Sequence, residues 1–190
     1  GSFNARQKAA NFGGGLLQEA IDEAHRHALR VYLTLNTLVT DDELPSAARI
    51  AEEAYIAGID GIILQDVGLI RTIHRNLPDL PLFASTQMTI GDAAGLRAAA
   101  RLGLKRVILA RELSLADITR LCDLARDLNL EIEVFVHGAL CISISGQCLM
   151  SSLNGGRSGN RGACAQPCRL PWRLGKVTGD RKSTRLNSSH

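Results

Sequence analysis

Between residues 31 and 138 a short apolar run recurs five times, and a single amphipathic stretch separates each run from the next. The runs are VYLTLNTLV (31–39), GIILQ (61–65), LPLFAS (80–85), RVILA (106–110) and EIEVFVHG (131–138). The stretches at 16–29, 45–58, 67–76, 91–103 and 114–129 carry apolar residues at helical spacing. Ser114 suits a helix start, and Gly58 and Gly103 suit helix ends. Strands joined by one helix each return to the same end of a sheet, which makes them parallel. Their compact apolar character indicates an α/β fold whose sheet is covered on both sides.

Two closures satisfy that pattern: a (β/α)8 barrel or an open, doubly wound sheet. A dinucleotide-binding sheet would place a glycine-rich turn after a strand, but the GGG at 13–15 precedes a helix with no clear strand before it. The expected architecture is a partial (β/α)8, TIM-like barrel over residues 1–138. After Gly138 the rhythm stops, and residues 139–180 read as a Cys/Gly/Arg-rich segment at the barrel mouth. RKSTRLNSSH (181–190) has no periodicity and reads as a non-native tail. A barrel short of strands is expected to leave open edges and apolar faces.

No run of eighteen apolar residues exists, so no membrane span is expected, and Gly1 to Ala10 lacks the apolar block of a secretory signal. A cytoplasmic location follows as the expectation. The formal charge of +3 comes from the tail, because without its three bases the chain holds 19 of each sign. Charge is instead segregated locally. No acid lies between Glu133 and Asp180, whereas Arg157, Arg161, Arg169, Arg173 and Lys176 all fall there. Such a stretch is either a solvated basic loop or a patch facing phosphate, carboxylate or an anionic cluster.

Four of the five cysteines sit inside that stretch, as C-x6-C-x15-C-x3-C from Cys141 through Cys148 and Cys164 to Cys168. Cys122 lies in the helical pattern ITRLCDLA, where a small buried residue fits. Four thiolates saturate a 4Fe–4S cluster, and surrounding bases and close backbone amides at glycines would compensate its negative charge. A structural zinc site is the alternative, although only the Cys164–Cys168 half approaches zinc-knuckle spacing. Thiol chemistry, or none, is the third reading.

In barrels the chemistry sits at the C-terminal ends of the strands. Polar residues follow all five runs: Asn36 and Thr37, Gln65 and Asp66, Ser85 with Thr86 and Gln87, Arg111 and Glu112, then His137. Each alone suits a turn or a cap, and their recurrence points to a shared mouth.

EVFVHGALCISISGQCLMS (133–151) and GGRSGNRGACAQPCRLPW (155–172) resemble the signature region of the collagenase-like peptidases, family U32. STQ (85–87), LARELSL (109–115) and VYLTLNT (31–37) are similar to further segments of that family, and the likeness covers roughly residues 10–176. The resemblance implies collagenase-like proteolysis in some members. In others it implies oxygen-independent hydroxylation of ubiquinone precursors or of an RNA pyrimidine, with prephenate as the hydroxyl source for RNA. It further implies a 4Fe–4S cluster on Cys141, Cys148 and Cys164, with Cys168 at the local spacing of a fourth ligand; some members use a cysteine farther downstream. A hetero-partner of the same family is a further implication.

Proteolysis needs an activated nucleophile or a metal-bound water, yet the chain has no HExxH, and neither GQCLM nor ISISG makes a nucleophile elbow. Hydroxylation finds more parts. Arg111, Arg157 and Arg161 suit a carboxylate or phosphate, His137 suits proton transfer, and Gln87 and Asn36 suit the edge of an aromatic substrate. A zinc-bearing RNA-binding module is the third class, with Trp172 alone available for stacking in the basic segment.

Overall fold

A computed structural model describes Phe3, residues 15–138 and residues 141–172. The tail at 181–190, Gly13, Gly14, Arg173 and Lys176 lie outside the described residues. All five expected helix–strand units are present. They are α1 (Gly15–Arg26), β1 (Tyr32–Leu35), α2 (Leu44–Ile56), β2 (Gly61–Leu64), α3 (Val67–Asn76), β3 (Leu82–Ala84), α4 (Ala93–Arg101), β4 (Arg106–Ile108), α5 (Leu115–Asp127) and β5 (Glu131–Glu133). Among the described residues after 138, the regular elements are a short helix α6 (Met150–Leu153) and two 3-10 turns, Gly159–Arg161 and Pro167–Arg169.

The strands form one parallel sheet in the order β1-β2-β3-β4-β5. Each crossover steps to the next strand and none turns back, so this sheet contains no switch point of the doubly wound kind. Right-handed crossovers in such an order bring every helix to the same face. The expected cover on both sides is therefore corrected to cover on one.

Burial follows that geometry. Leu35, Ile62, Leu64, Leu82, Ala84 and Val107 point to the helical face and are almost wholly buried. Against them pack Ala47, Ala51 and Ala54 of α2, Leu69, Ile70 and Ile73 of α3, Leu96 and Ala99 of α4, and Leu121 and Ala125 of α5. The i, i+3, i+4 spacing lines these residues along one stripe of each helix. Each large aliphatic side chain removed from water contributes about 1.5–3 kcal/mol.

The opposite face carries Tyr32, Thr34, Ile63, Phe83, Arg106 and Ile108, by the two-residue alternation of strands. Here the Arg106 guanidinium lies 4.6 Å from the Phe83 ring centre and 5.3 Å from that of Tyr32. It pairs with Glu131 at 2.6 Å and with Glu133 at 3.4 Å. Burial disfavours its charge, but Glu131 and Tyr32 outweigh burial and raise its pKa. Gly61 is required below this stack, because a Cβ there would come within 2.6 Å of the Phe83 ring.

β5 is shorter than the expected 131–138. It pairs with β4 through Glu133, and Leu109 adds a bond from its N–H to the Glu133 carbonyl at 2.9 Å. Beyond that point β4 offers no further ladder, and Val134, Phe135 and Val136 are exposed. The helix caps account for two residues of the expected mouth. Asp66 accepts the Leu69 N–H at 2.8 Å as the N-cap of α3, and Ser85 caps the 3-10 turn Thr86–Met88 by accepting the Gln87 N–H at 3.2 Å.

Candidate functional site at the strand ends

Parallel register puts the polar strand-end residues into a row. Leu35 lies beside Leu64, and Leu64 beside Ala84. One residue on, Asn36, Gln65 and Ser85 stand side by side on adjacent strands, on the face away from the helices. Asn36 donates its side-chain N–H to Ser85 Oγ at 3.4 Å, and Gln65 donates its own to the Gln87 carbonyl at 3.2 Å. All four are strand-end positions expected to share a mouth, and hydrogen bonds join them.

The segment that follows β5 returns over this rim through Ser145, which is fully buried. Its N–H donates to Glu112 Oε1 at 2.9 Å, and its hydroxyl donates to the same oxygen at 3.1 Å. Arg111 donates to Ser145 Oγ from its backbone N–H at 3.3 Å and from Nε at 3.1 Å. Thr89 donates its hydroxyl to the Ser145 carbonyl at 2.6 Å, and Gln147 donates to Thr89 Oγ1 at 3.0 Å. Thr86, anchored on the Leu109 carbonyl at 3.0 Å, lies 3.4 Å from Ser145 Oγ. Gly146 follows with φ of +72°, and a Cβ there would collide with the Gln87 carbonyl. Ser145 and Gly146 therefore seat the loop between Cys141 and Cys148 onto the strand ends.

Ser145 was not among the residues singled out from the sequence. The available signal was the glycine at 146, between Cys141 and Cys148. Glu112 was noted only as a rim residue, and Glu43 not at all. The Glu43 carboxylate pairs with Arg161 at 2.5 Å and accepts the Thr40 N–H at 2.9 Å. Those two partners hold its carboxyl below the ordinary carboxylate range.

The remainder of the segment is organised around buried Ser151 and Pro167. Ser151 Oγ accepts the Ala165 N–H at 2.9 Å, and Trp172 donates its ring N–H to the Pro167 carbonyl at 2.9 Å. Arg157 donates from Nε to the Ala163 carbonyl at 3.0 Å. Of the expected cation grips, Arg111 and Arg161 thus reach the rim, while Arg157 braces its own loop. His137 is exposed and makes no hydrogen bond to a serine or cysteine among the described residues.

All five thiols are free. Cys141, Cys164 and Cys168 are exposed, and Cys122 and Cys148 are half-buried. Cys164 Sγ accepts the Gln166 N–H at 3.3 Å and lies over Gly159, the close amide approach that favours a thiolate ligand. The donor set suits an iron–sulfur cluster chemically. The described residues nevertheless bring no three Cys, His, Asp or Glu side chains together as a metal cradle.

Comparison with known proteins adds to this geometry. The sequence model of peptidase family U32 matches residues 1–190, a wider span than the 10–176 suggested by the motifs. The 23S rRNA 5-hydroxycytidine C2501 synthase of Escherichia coli K12 is 41% identical over 172 residues, covering 90% of this chain and 25% of its own length. The tRNA hydroxylation protein P of the same organism is 35% identical over 172 residues, covering 90% of this chain and 38% of its own. A collagenase of Porphyromonas gingivalis is 33% identical over 177 residues, covering 88% and 42%. The chain thus spans less than half the length of these relatives. A solved U32 peptidase superposes with a TM-score of 0.54 over 70% of this chain and 55% of that one; at 17% identity the likeness is one of fold.

Proposed function

The chain belongs to peptidase family U32, and we propose that it carries part of an iron–sulfur enzyme for oxygen-independent hydroxylation of an RNA pyrimidine. The observation that carries this reading is the seating of a thiol-rich, acid-free segment on the strand rim by Ser145. Two relatives named for RNA hydroxylation support it.

In this reading residues 15–138 are part of a (β/α)8 barrel, since the sheet winds in one direction with its helices on one face. Residues 141–172 lie across its mouth. Cys141, Cys148, Cys164 and Cys168 would hold the 4Fe–4S cluster, which supplies redox or Lewis-acid chemistry when bound. The other residues bind and orient. Arg111 and Arg161 offer guanidinium N–H groups to phosphate or to a carboxylate co-substrate such as prephenate, and Arg157 stiffens the loop beside them. Asn36 and Gln87 address the ring edge, and His137 moves protons at the open side. A same-family partner and a cytoplasmic setting accompany the reading. No helix among the described residues is long and apolar enough to cross a membrane.

Anaerobic purification with iron and sulfide quantitation and a visible spectrum tests the cluster, on the wild type and on Cys148→Ser. Iron and colour are expected in the first and lost or diminished in the second. A colourless, iron-free protein binding stoichiometric zinc would overturn the cluster in favour of a zinc-bearing RNA module. Mass spectrometry of RNA from a deletion strain should show loss of one hydroxylated pyrimidine. Altered quinones with unchanged RNA would move the substrate to a ubiquinone precursor. The collagenase relative motivates one further assay: collagen cleavage that survives replacement of Cys141 and Cys148 would establish a peptidase instead.

A further inference from the structure

We infer that Gln65 determines base recognition at this site, its Oε1 accepting a hydrogen bond from an N–H of the pyrimidine ring edge; the inference rests on the RNA-pyrimidine reading above. Gln65 is 7% exposed. Its amide nitrogen is committed to the Gln87 carbonyl at 3.2 Å, and reversing the amide would set two carbonyl oxygens against each other. Oε1 is thereby fixed in place. Among the buried side-chain polar atoms of the described residues, it alone has no hydrogen-bond partner.

A buried acceptor left unmet destabilises the fold, because it has lost water and gained nothing. Such an atom calls for a donor from outside the described residues. Its position says which kind. Strand alternation turns Gln65 away from Ile62 and Leu64, which face the helices, and into the row shared with Asn36 and Ser85. Ser85 Oγ is already engaged by Asn36 and by the Gln87 N–H. Ile63 and Ile108 belong to the same face of the sheet. Uracil offers its N3–H to Oε1, and cytosine offers its exocyclic amine. A ring without such a donor leaves the acceptor unmet, and sites built to hydrogen-bond their ligand discriminate strongly against analogues that cannot.

Binding of a fluorescein-labelled pentauridylate to the full chain tests this, alongside the same oligonucleotide built from N3-methyluridine. Gln65→Leu is expected to weaken pentauridylate binding about tenfold or more with little change in Tm, since losing the unmet acceptor offsets losing the bond to the Gln87 carbonyl. N3-methylation should weaken binding to the wild type by a similar factor and add nothing in Gln65→Leu. Undiminished binding by Gln65→Leu, or equal binding of the methylated strand, overturns the inference while the RNA reading stands. A fall in Tm without any effect of N3-methylation also overturns it, because a buried water would then be the partner. Wild-type binding no tighter than to an abasic five-residue strand overturns both the inference and the pyrimidine reading.

Discussion

Arg161 and Glu43 are 118 residues apart in the chain and 2.5 Å apart in the fold. Glu43 is the N-cap residue of α2, so the pair ties the basic, cysteine-bearing segment to the first helix after β1. It complements the Ser145 anchor, which ties the same segment to the ends of β3 and β4. Two attachments at opposite sides of the rim fix the segment's placement in a way that one could not.

The Glu43–Arg161 pair gives a pH dependence. The folded carboxyl sits below its ordinary value of 4.5, first because of Arg161 and then because of the Thr40 N–H. A depressed carboxyl contributes stability that is complete above the unfolded value and is lost as pH falls through the folded one. Hydrogen exchange across 150–172 should therefore quicken as pH is lowered below about 4.5, after correction for intrinsic rates. Glu43→Gln should remove that dependence. Both side chains are partly solvated, so a double-mutant cycle should give a coupling of about 0.2–1 kcal/mol.

Gly146→Ala should be far more disruptive than its size suggests. The position has φ of +72°, and the new methyl would meet the Gln87 backbone rather than a flexible side chain. Backbone strain of this kind costs about 1–3 kcal/mol. Limited proteolysis should show cleavage near residue 146 before any loss of the helical circular dichroism signal. Ser145→Ala keeps the backbone bonds and loses the hydroxyl ones, so a smaller loss of about 1–2 kcal/mol is expected.

Thiol labelling should divide the cysteines. In the apo protein Cys141, Cys164 and Cys168 are exposed and should react with a thiol reagent rapidly, with Cys122 and Cys148 slower. Ser145→Ala should speed Cys148 selectively and leave Cys122, on α5, at its original rate. Peptide mapping of the labelled protein reads both rates.

The helical face of the sheet should carry the stability. Leu64 is fully buried between strands and helices, and Leu64→Ala should cost about 2–5 kcal/mol in urea unfolding. Leu115 is 83% exposed at the start of α5, and Leu115→Ala should stay within about 0.5 kcal/mol.

Local chemistry made most of the scaffold readable without coordinates. The stretch 67–76 carries its own cap in Asp66 and ends ahead of Pro78, and α3 occupies those same residues. Ser114 likewise starts α5. The five apolar runs imposed a parallel α/β fold because connections of one helix leave no other pairing. The cysteine spacing and the missing acids after Glu133 marked the segment that matters chemically. Other facts depend on residues distant in sequence, and no local period encodes them. Helix cover on a single face follows from the order of the strands. The end of β5 at Glu133 follows from the length of β4. Ser145 became the anchor because Arg111, Glu112 and Thr89 converge on it from loops more than thirty residues upstream. Gln65 acquired an unmet acceptor because the Gln87 carbonyl, across the sheet on the next strand's turn, claims the other end of its amide. Sequence supplied the residue types and their periods; the register of parallel strands decided which of them meet.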